Sequence, residues 1–271
     1  YAYYLASPLS YLTVLFPEGA MLEALLTVFL IKTGLCGTTF GLYLHKTTKH
    51  PRPVMVVLFS TMYALCSYAV VQQHNSMWID ALIWLPILTL SIEALIKERK
   101  YKLFVISLAM TVMSNFYIGY MVCLYVALYF FYYYFAKSKN GENNTVGERA
   151  HFLRSLARIF LWSLLAIGIS AVIILSAYYS LGFGKNTFSD PDWSFTLRYD
   201  LSALFVKLLP GAYDTVRPAG LPILYCGTLT LLLLPFYYLS KKISLREKVF
   251  TTLLVGVFVM SFIISPLDII W

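Results

Sequence analysis

Two basic knots restrict this chain more than any other feature. The first holds Lys97, Arg99, Lys100 and Lys102, the second Lys137 and Lys139, and the 33 residues 103–135 between them carry no charge. One spanning helix needs about 20 apolar residues and two need about 40 plus a turn. Basic flanks belong on the cytoplasmic side of a membrane, so the chain is expected to enter and return there. The length falls short of two full crossings. Ser114-Asn115 sits near the middle of the stretch. The spacing predicts two short helices meeting at Ser114-Asn115-Phe116-Tyr117 inside the membrane. Lipid cannot satisfy the backbone groups of such a turn, which must be buried in protein or face a wet cavity. The alternative, one long tilted helix, places the two knots on opposite sides.

The rest of the composition agrees with a polytopic membrane protein: 59% of the residues are hydrophobic and only 13% charged. Spans are predicted at 22–44, 54–72, 80–96, 159–181, 220–239 and 249–265, beside the 103–135 hairpin. Residues 1–21 read as an interfacial segment, aromatic and uncharged over residues 1–17. Residues 137–158 read as a polar loop with a flexible Asn-Gly-Glu-Asn-Asn turn. Residues 182–219 form a long loop rich in Asp, Trp, Tyr, Gly and Pro. The expected fold is an all-α polytopic transmembrane helix bundle, a single membrane domain over 1–271. A start on Tyr1 and a stop on Trp271, straight after an apolar run, read as a piece of a longer protein.

Charge fixes the orientation. Of the 21 Lys and Arg, sixteen fall in the loops beside Lys46, Lys97, Lys137 and Lys241, four (Lys185, Arg198, Lys207, Arg217) in the opposite set, and Lys32 inside a span. The first set is the cytoplasmic one. The net charge of +8 is thus loop asymmetry and not a nucleic-acid-binding face. The four cysteines, Cys36, Cys66, Cys123 and Cys226, lie in apolar runs without disulfide or metal spacing. No Walker pattern, His-Glu-x-x-His or CxxC is present.

Candidate residues follow from polar groups in costly places. Lys32 lies mid-span, where a charge is a functional hypothesis by default. It either holds a lipid phosphate, or pairs with Glu93 or a backbone carbonyl, or snorkels if the helix is shifted. Asp80, following His74 and Asn75 at the outer surface, is either a base or metal ligand, or a helix cap in the first turn. Asn115, Tyr117 and Tyr120 stand at the hairpin turn, where they bond a substrate or satisfy the turn and the interface. Tyr213-Asp214 pairs a carboxylate with an aromatic face, a combination that suits sugars and also occurs in solvated loops.

Several stretches together resemble the YfhO family of bacterial membrane proteins. They are Ser7-Pro8-Leu9 through Leu15-Phe16-Pro17, Met77-Trp78-Ile79-Asp80-Ala81-Leu82, Ser114-Asn115-Phe116-Tyr117-Ile118-Gly119-Tyr120-Met121, Gly220-Leu221-Pro222 with Tyr225-Cys226-Gly227, and Pro266-Leu267-Asp268. The resemblance implies a GT-C-type glycosyltransferase. Such an enzyme moves a sugar from a polyprenyl-phosphate donor to a cell-envelope polymer such as lipoteichoic acid on the outer face of the bacterial cytoplasmic membrane. A carboxylate would orient or deprotonate the acceptor hydroxyl, and cationic side chains or a divalent metal would stabilise the leaving phosphate. Under that implication Asp80 is the best carboxylate, Lys32 and Arg217 are phosphate ligands, His74 and Asn75 border the site, and Asn115, Tyr117 and Tyr120 line the cavity. The acidic residue that GT-C enzymes usually carry in their first outer loop would precede Tyr1. A lipid or polymer transporter, or a non-catalytic scaffold for a separate transferase, are the rival readings.

Overall fold

The computed structural model describes residues 6–137, 148–184, 193, 195–197, 201–211, 223–264 and 267. Among them the chain is helical, with one isolated bridge between Leu197 and Ile264. A 3-10 helix at Pro8–Leu15 and a short one at Glu18–Ala20 lead into α1 (Met21–Thr47). Then come α2 (Pro53–Ala64), α3 (Ser67–Val71), α4 (Ser76–Glu98), α5 (Lys102–Ser114) and α6 (Phe116–Ala136). The series closes with α7 (Glu148–Ile169), α8 (Ala171–Gly184), α9 (Leu201–Val206), α10 (Thr228–Leu239) and α11 (Leu245–Ile263). Among the described residues four helical stretches are long and apolar enough to cross a membrane, Glu18–Thr47, Ser76–Glu98, Phe116–Ala136 and Arg149–Ile169, and the bent pair Pro53–Ala64 with Ser67–His74 would make a fifth if it is one span.

The core is a layer of α4, α5 and α6 with α1 and α7 on its flanks. Thr89 bonds Tyr125, Glu93 accepts from Tyr129, and Lys97 lies 5.4 Å over the Tyr133 ring. This constant sequence offset means that α4 and α6 run parallel. α5 returns between them, with Ser91 facing Ser107 and Val112 facing Gly119. Lys32 meets Asp80 while Tyr43 lies close to Glu93, so α1 also runs parallel to α4. The three parallel helices therefore finish at one end. Lys46 comes close to Glu98 there, Arg158 comes close to Arg99 and Arg154, and Lys137 pairs with Glu247 at 3.5 Å. The basic loops of the sequence gather on one end of the bundle.

The hairpin turns at the expected residues. α5 stops at Ser114, Asn115 takes an extended conformation, and its side-chain oxygen accepts the Ile118 N–H at 3.0 Å. This is a helix N-cap. Gly119 permits the return: a Cβ there would sit 2.7 Å from the Val112 Cα. The two arms are unequal, however. α5 has 13 residues and α6 has 21, enough for α6 alone to cross.

Three other expectations are corrected. The span predicted at 54–72 is broken: α2 ends at Ala64, Cys66 is extended, and the second piece is bent away by 40°. The span predicted at 159–181 is split at Ser170, whose hydroxyl bonds the Ala109 and Ala166 carbonyls. α7 instead begins at Glu148, within the residues expected as loop. Its helix is amphipathic at that end, with Phe152 and Leu156 packed on the core while Arg154 is exposed. Finally, residues 6–16 do not simply float at the interface. The first 3-10 helix packs on α1, and Ser7 is fully buried. The flexible turn at 140–144 lies outside the described residues.

Candidate functional site

Lys32 and Asp80 find each other. The Lys32 ammonium is 2.9 Å from Asp80 Oδ2, with both side chains shut off from solvent. It also donates to the Ser76 carbonyl at 2.8 Å and to Ser7 Oγ at 3.2 Å. The Ser7 hydroxyl is in turn within hydrogen-bond reach of the Asp80 carboxylate. Three parts of the chain (the segment before the first 3-10 helix, the middle of α1 and the first turns of α4) are thereby tied at one point. The physical cause is the cost of a bare charge among apolar side chains: Lys32 carries a cation into the bundle and Asp80 supplies the counter-charge.

Depth can be worked from helix geometry. Lys32 lies 14 residues before Lys46, about 21 Å at 1.5 Å per residue, and Asp80 lies 17 residues before Lys97, about 26 Å. Measured from the basic end of a hydrocarbon core about 30 Å thick, the pair sits about 4–9 Å short of the far boundary, closer to the outer side than the mid-span place expected for Lys32.

This arrangement selects among the alternatives for both residues. Lys32 pairs with Asp80 and a backbone carbonyl, whereas Glu93 accepts from Tyr129 at 2.8 Å. Asp80 is not a helix cap. α4 opens at Ser76, one turn earlier, and Asn75 holds the cap position without a capping side-chain bond. The carboxylate is engaged by Lys32 instead. The sequence marked Lys32 as a lone charge in an apolar run and Asp80 as a carboxylate opening the next span, but nothing in the spacing linked residues 48 apart.

The other candidates separate. Asn75 bonds Gln72 at 3.2 Å and His74 at 3.0 Å, a local network at the turn before α4, and His74 is exposed. Asn115 is buried and occupied as the α6 cap, although its side-chain nitrogen has no partner. Tyr117 and Tyr120 are 45% and 50% exposed on the outer face of α6. The structure therefore does not bring them to Asn115 around one cavity among the described residues. Asp214 and Arg217 lie outside the described residues.

The break between α2 and α3 creates what the sequence reading missed. A mostly apolar cavity of about 400 Å³ opens beside it, lined by Leu65, Val70, Val71 and Gly211 with Ser67, Gln73 and Tyr225 among them. It stands at the end of the bundle away from the basic loops, because Gln73 immediately precedes the turn into α4. Its polar groups are neutral: a hydroxyl, a carboxamide and a phenol. Such a set bonds hydroxyl-rich ligands without the demand of a fixed charge. The signal available beforehand was Tyr225, inside the Tyr225-Cys226-Gly227 motif. The bend that exposes Ser67 and Gln73 has no proline or glycine to announce it.

A metal fits poorly at Asp80. Among the described residues no three His, Cys, Asp or Glu side chains come together, and the nearest charge to the carboxylate is the Lys32 ammonium. A second cation there would be repelled.

The chain was also compared with known proteins. The family described as "Bacterial membrane protein YfhO" matches residues 1–271. A relative from Bacillus subtilis (strain 168), named "Uncharacterized protein YfhO", is 27% identical over 117 residues, which make up 42% of this chain and 12% of the relative. The match thus spans about an eighth of that relative's length. No solved structure matches. With the family matched from the first residue to the last, on a bundle that carries several helices fit to cross a bilayer, the chain belongs to the YfhO family of bacterial membrane proteins.

Proposed function

We propose that this chain is the membrane part of a GT-C-type glycosyltransferase that accepts a polyprenyl-phosphate sugar on the outer face of the cytoplasmic membrane. The acceptor would be a cell-envelope polymer of the lipoteichoic acid kind. The observation that carries the reading is the uncharged cavity beside the α2–α3 break, an apolar pocket with three neutral polar groups set into it, at the end of the bundle opposite the basic loops. The positive-inside rule makes that end the outer one. Ser67, Gln73 and Tyr225 would hydrogen-bond the sugar. Lys32 and Asp80 act as positioning residues: their mutual neutralisation holds Ser7, α1 and α4 in register. The carboxylate that activates the acceptor hydroxyl is assigned to another part of the full protein, since Asp80 is both buried and paired.

The test uses the full-length protein in lipid nanodiscs, with a defined polyprenyl-phosphate sugar and purified acceptor. Sugar transfer, lowered at least tenfold by Ser67→Leu with Tyr225→Phe, is the expected result. Binding of donor without transfer makes the protein a scaffold. Movement of donor across a proteoliposome membrane without transfer makes it a transporter. Either outcome replaces the proposal.

A further inference from the structure

The basic end of the bundle holds a charge cluster that no part of the proposed reaction uses. Arg154 and Arg158 are one helical turn apart on α7, and Arg99 comes close to Arg158 from the turn between α4 and α5. Arg99 has a positive φ of 58°, rare for a residue with a Cβ, and its N–H closes α4 on the Ala94 carbonyl. The residue two positions on, Tyr101, stacks on Trp162 of α7 with ring centroids 3.9 Å apart. That stack pins the Arg99 turn against the Arg154–Arg158 face of α7.

Three guanidiniums brought together repel one another, and the neighbouring carboxylate, Glu98, is engaged by Lys100. Among the described residues none of the three has an ion-pair partner; the ion pairs present use Lys32, Lys100 and Lys137. Directly below the cluster the surface turns aromatic and then apolar. Trp162 and Tyr101 come first, followed by exposed Ile106 on α5 and exposed Leu165 and Ile169 on α7. On α7 the arginines, Trp162, Leu165 and Ile169 share one face, since they recur at three- and four-residue spacing. The series runs cation, amphipathic ring, aliphatic, over about the depth of one lipid leaflet. Basic pockets between transmembrane helices bind anionic lipid headgroups, and aromatic rings settle at headgroup level.

We propose that the outward groove between α5 and α7 is a binding site for an anionic glycerophospholipid. Its phosphate lies among Arg99, Arg154 and Arg158, its glycerol region against Tyr101 and Trp162, and its acyl chains over Ile106, Leu165 and Ile169. Charge complementarity selects this occupant over a zwitterionic lipid, and the aliphatic strip selects a lipid over a soluble phosphate. The bound lipid would neutralise the three arginines where α7 packs against the α4–α5 turn.

Native mass spectrometry of the full-length protein, titrated in detergent with phosphatidylglycerol or phosphatidylcholine, tests the site. Wild-type protein is expected to retain phosphatidylglycerol in preference. Arg154→Gln with Arg158→Gln is expected to bind it about 30-fold less tightly, from about fivefold for each cationic residue at a membrane surface. Arg149→Gln is the control. It removes one positive charge from the same helix, about 180° around from Arg158 at 3.6 residues per turn, and is compared with Arg158→Gln alone, expected to bind about fivefold less tightly. Equal weakening by Arg149→Gln, equal retention of phosphatidylcholine, or displacement of the lipid by inorganic phosphate would each overturn the proposal. A folded double variant with undiminished phosphatidylglycerol binding would overturn it as well.

Discussion

Replacing Asp80 by Asn separates a positioning ion pair from a catalytic base. The substitution keeps the size of the side chain and an oxygen that can still accept from Lys32. It removes the charge, and leaves the Lys32 ammonium in a place with no solvent access. Removing one partner of a buried pair costs about 3–5 kcal/mol, because the remaining charge stays desolvated. Lys32→Met alone should cost a similar amount for the mirror reason. The double variant Lys32→Met with Asp80→Leu removes both charges, and buried pairs replaced by apolar residues come out near neutral or more stable by about 1–4 kcal/mol. The expected pattern is therefore two strongly destabilised single variants and a double variant close to wild type. Reversible unfolding in mixed detergent micelles, followed by tryptophan fluorescence and circular dichroism, gives the three differences and their coupling. Sugar transfer by the full-length protein is measured in parallel, and the double variant should keep most of it. A base at Asp80 predicts the reverse: Asp80→Asn folded at normal stability, with transfer reduced by roughly 10²-fold or more, and no rescue in the double variant. A loss of stability under about 1 kcal/mol in both single variants would refute the argument from desolvation.

Three other outcomes follow from the hairpin and the charge distribution. Gly119→Ala gains about 1 kcal/mol of helix propensity but forces a Cβ to 2.7 Å from the Val112 backbone; overpacking of about 1–3 kcal/mol should win, seen as a lowered Tm. Asn115→Ala should lose about 1 kcal/mol with the α6 cap, whereas Asn115→Ser keeps a capping oxygen and drops the unpartnered nitrogen, and should unfold within about 0.5 kcal/mol of wild type. For topology, a cysteine placed at Gln73 should react with a membrane-impermeant maleimide on intact cells and one placed at Asn143 only after lysis; the opposite pattern would invert the orientation.

What the sequence determined by itself were the properties that depend on local composition. An uncharged run longer than one span and shorter than two must bend, and Ser114-Asn115 offers both a helix stop and the next cap. Lysines and arginines confined to alternate loops must come to one end of a bundle, as Lys46, Lys97, Lys137 and Arg158 do. Lys32 was visible because a lone charge in an apolar run is conspicuous in one dimension, and Asp80 as a carboxylate at the outer start of the next span. Tertiary structure alone decided what they do. That α1 and α4 run parallel with residue 32 level with residue 80, and that Ser7 folds back onto both, depends on packing between segments far apart in the chain. The same holds for the α2–α3 break. Apolar residues on both sides of Cys66 satisfy a straight span and a bent one equally well, and only the neighbours in the bundle choose between them. Hydrophobicity measures the solvent that a segment prefers. It carries no direction, so the partners of each buried polar group, and the cavity that a bend opens, are set by the shape of the whole assembly.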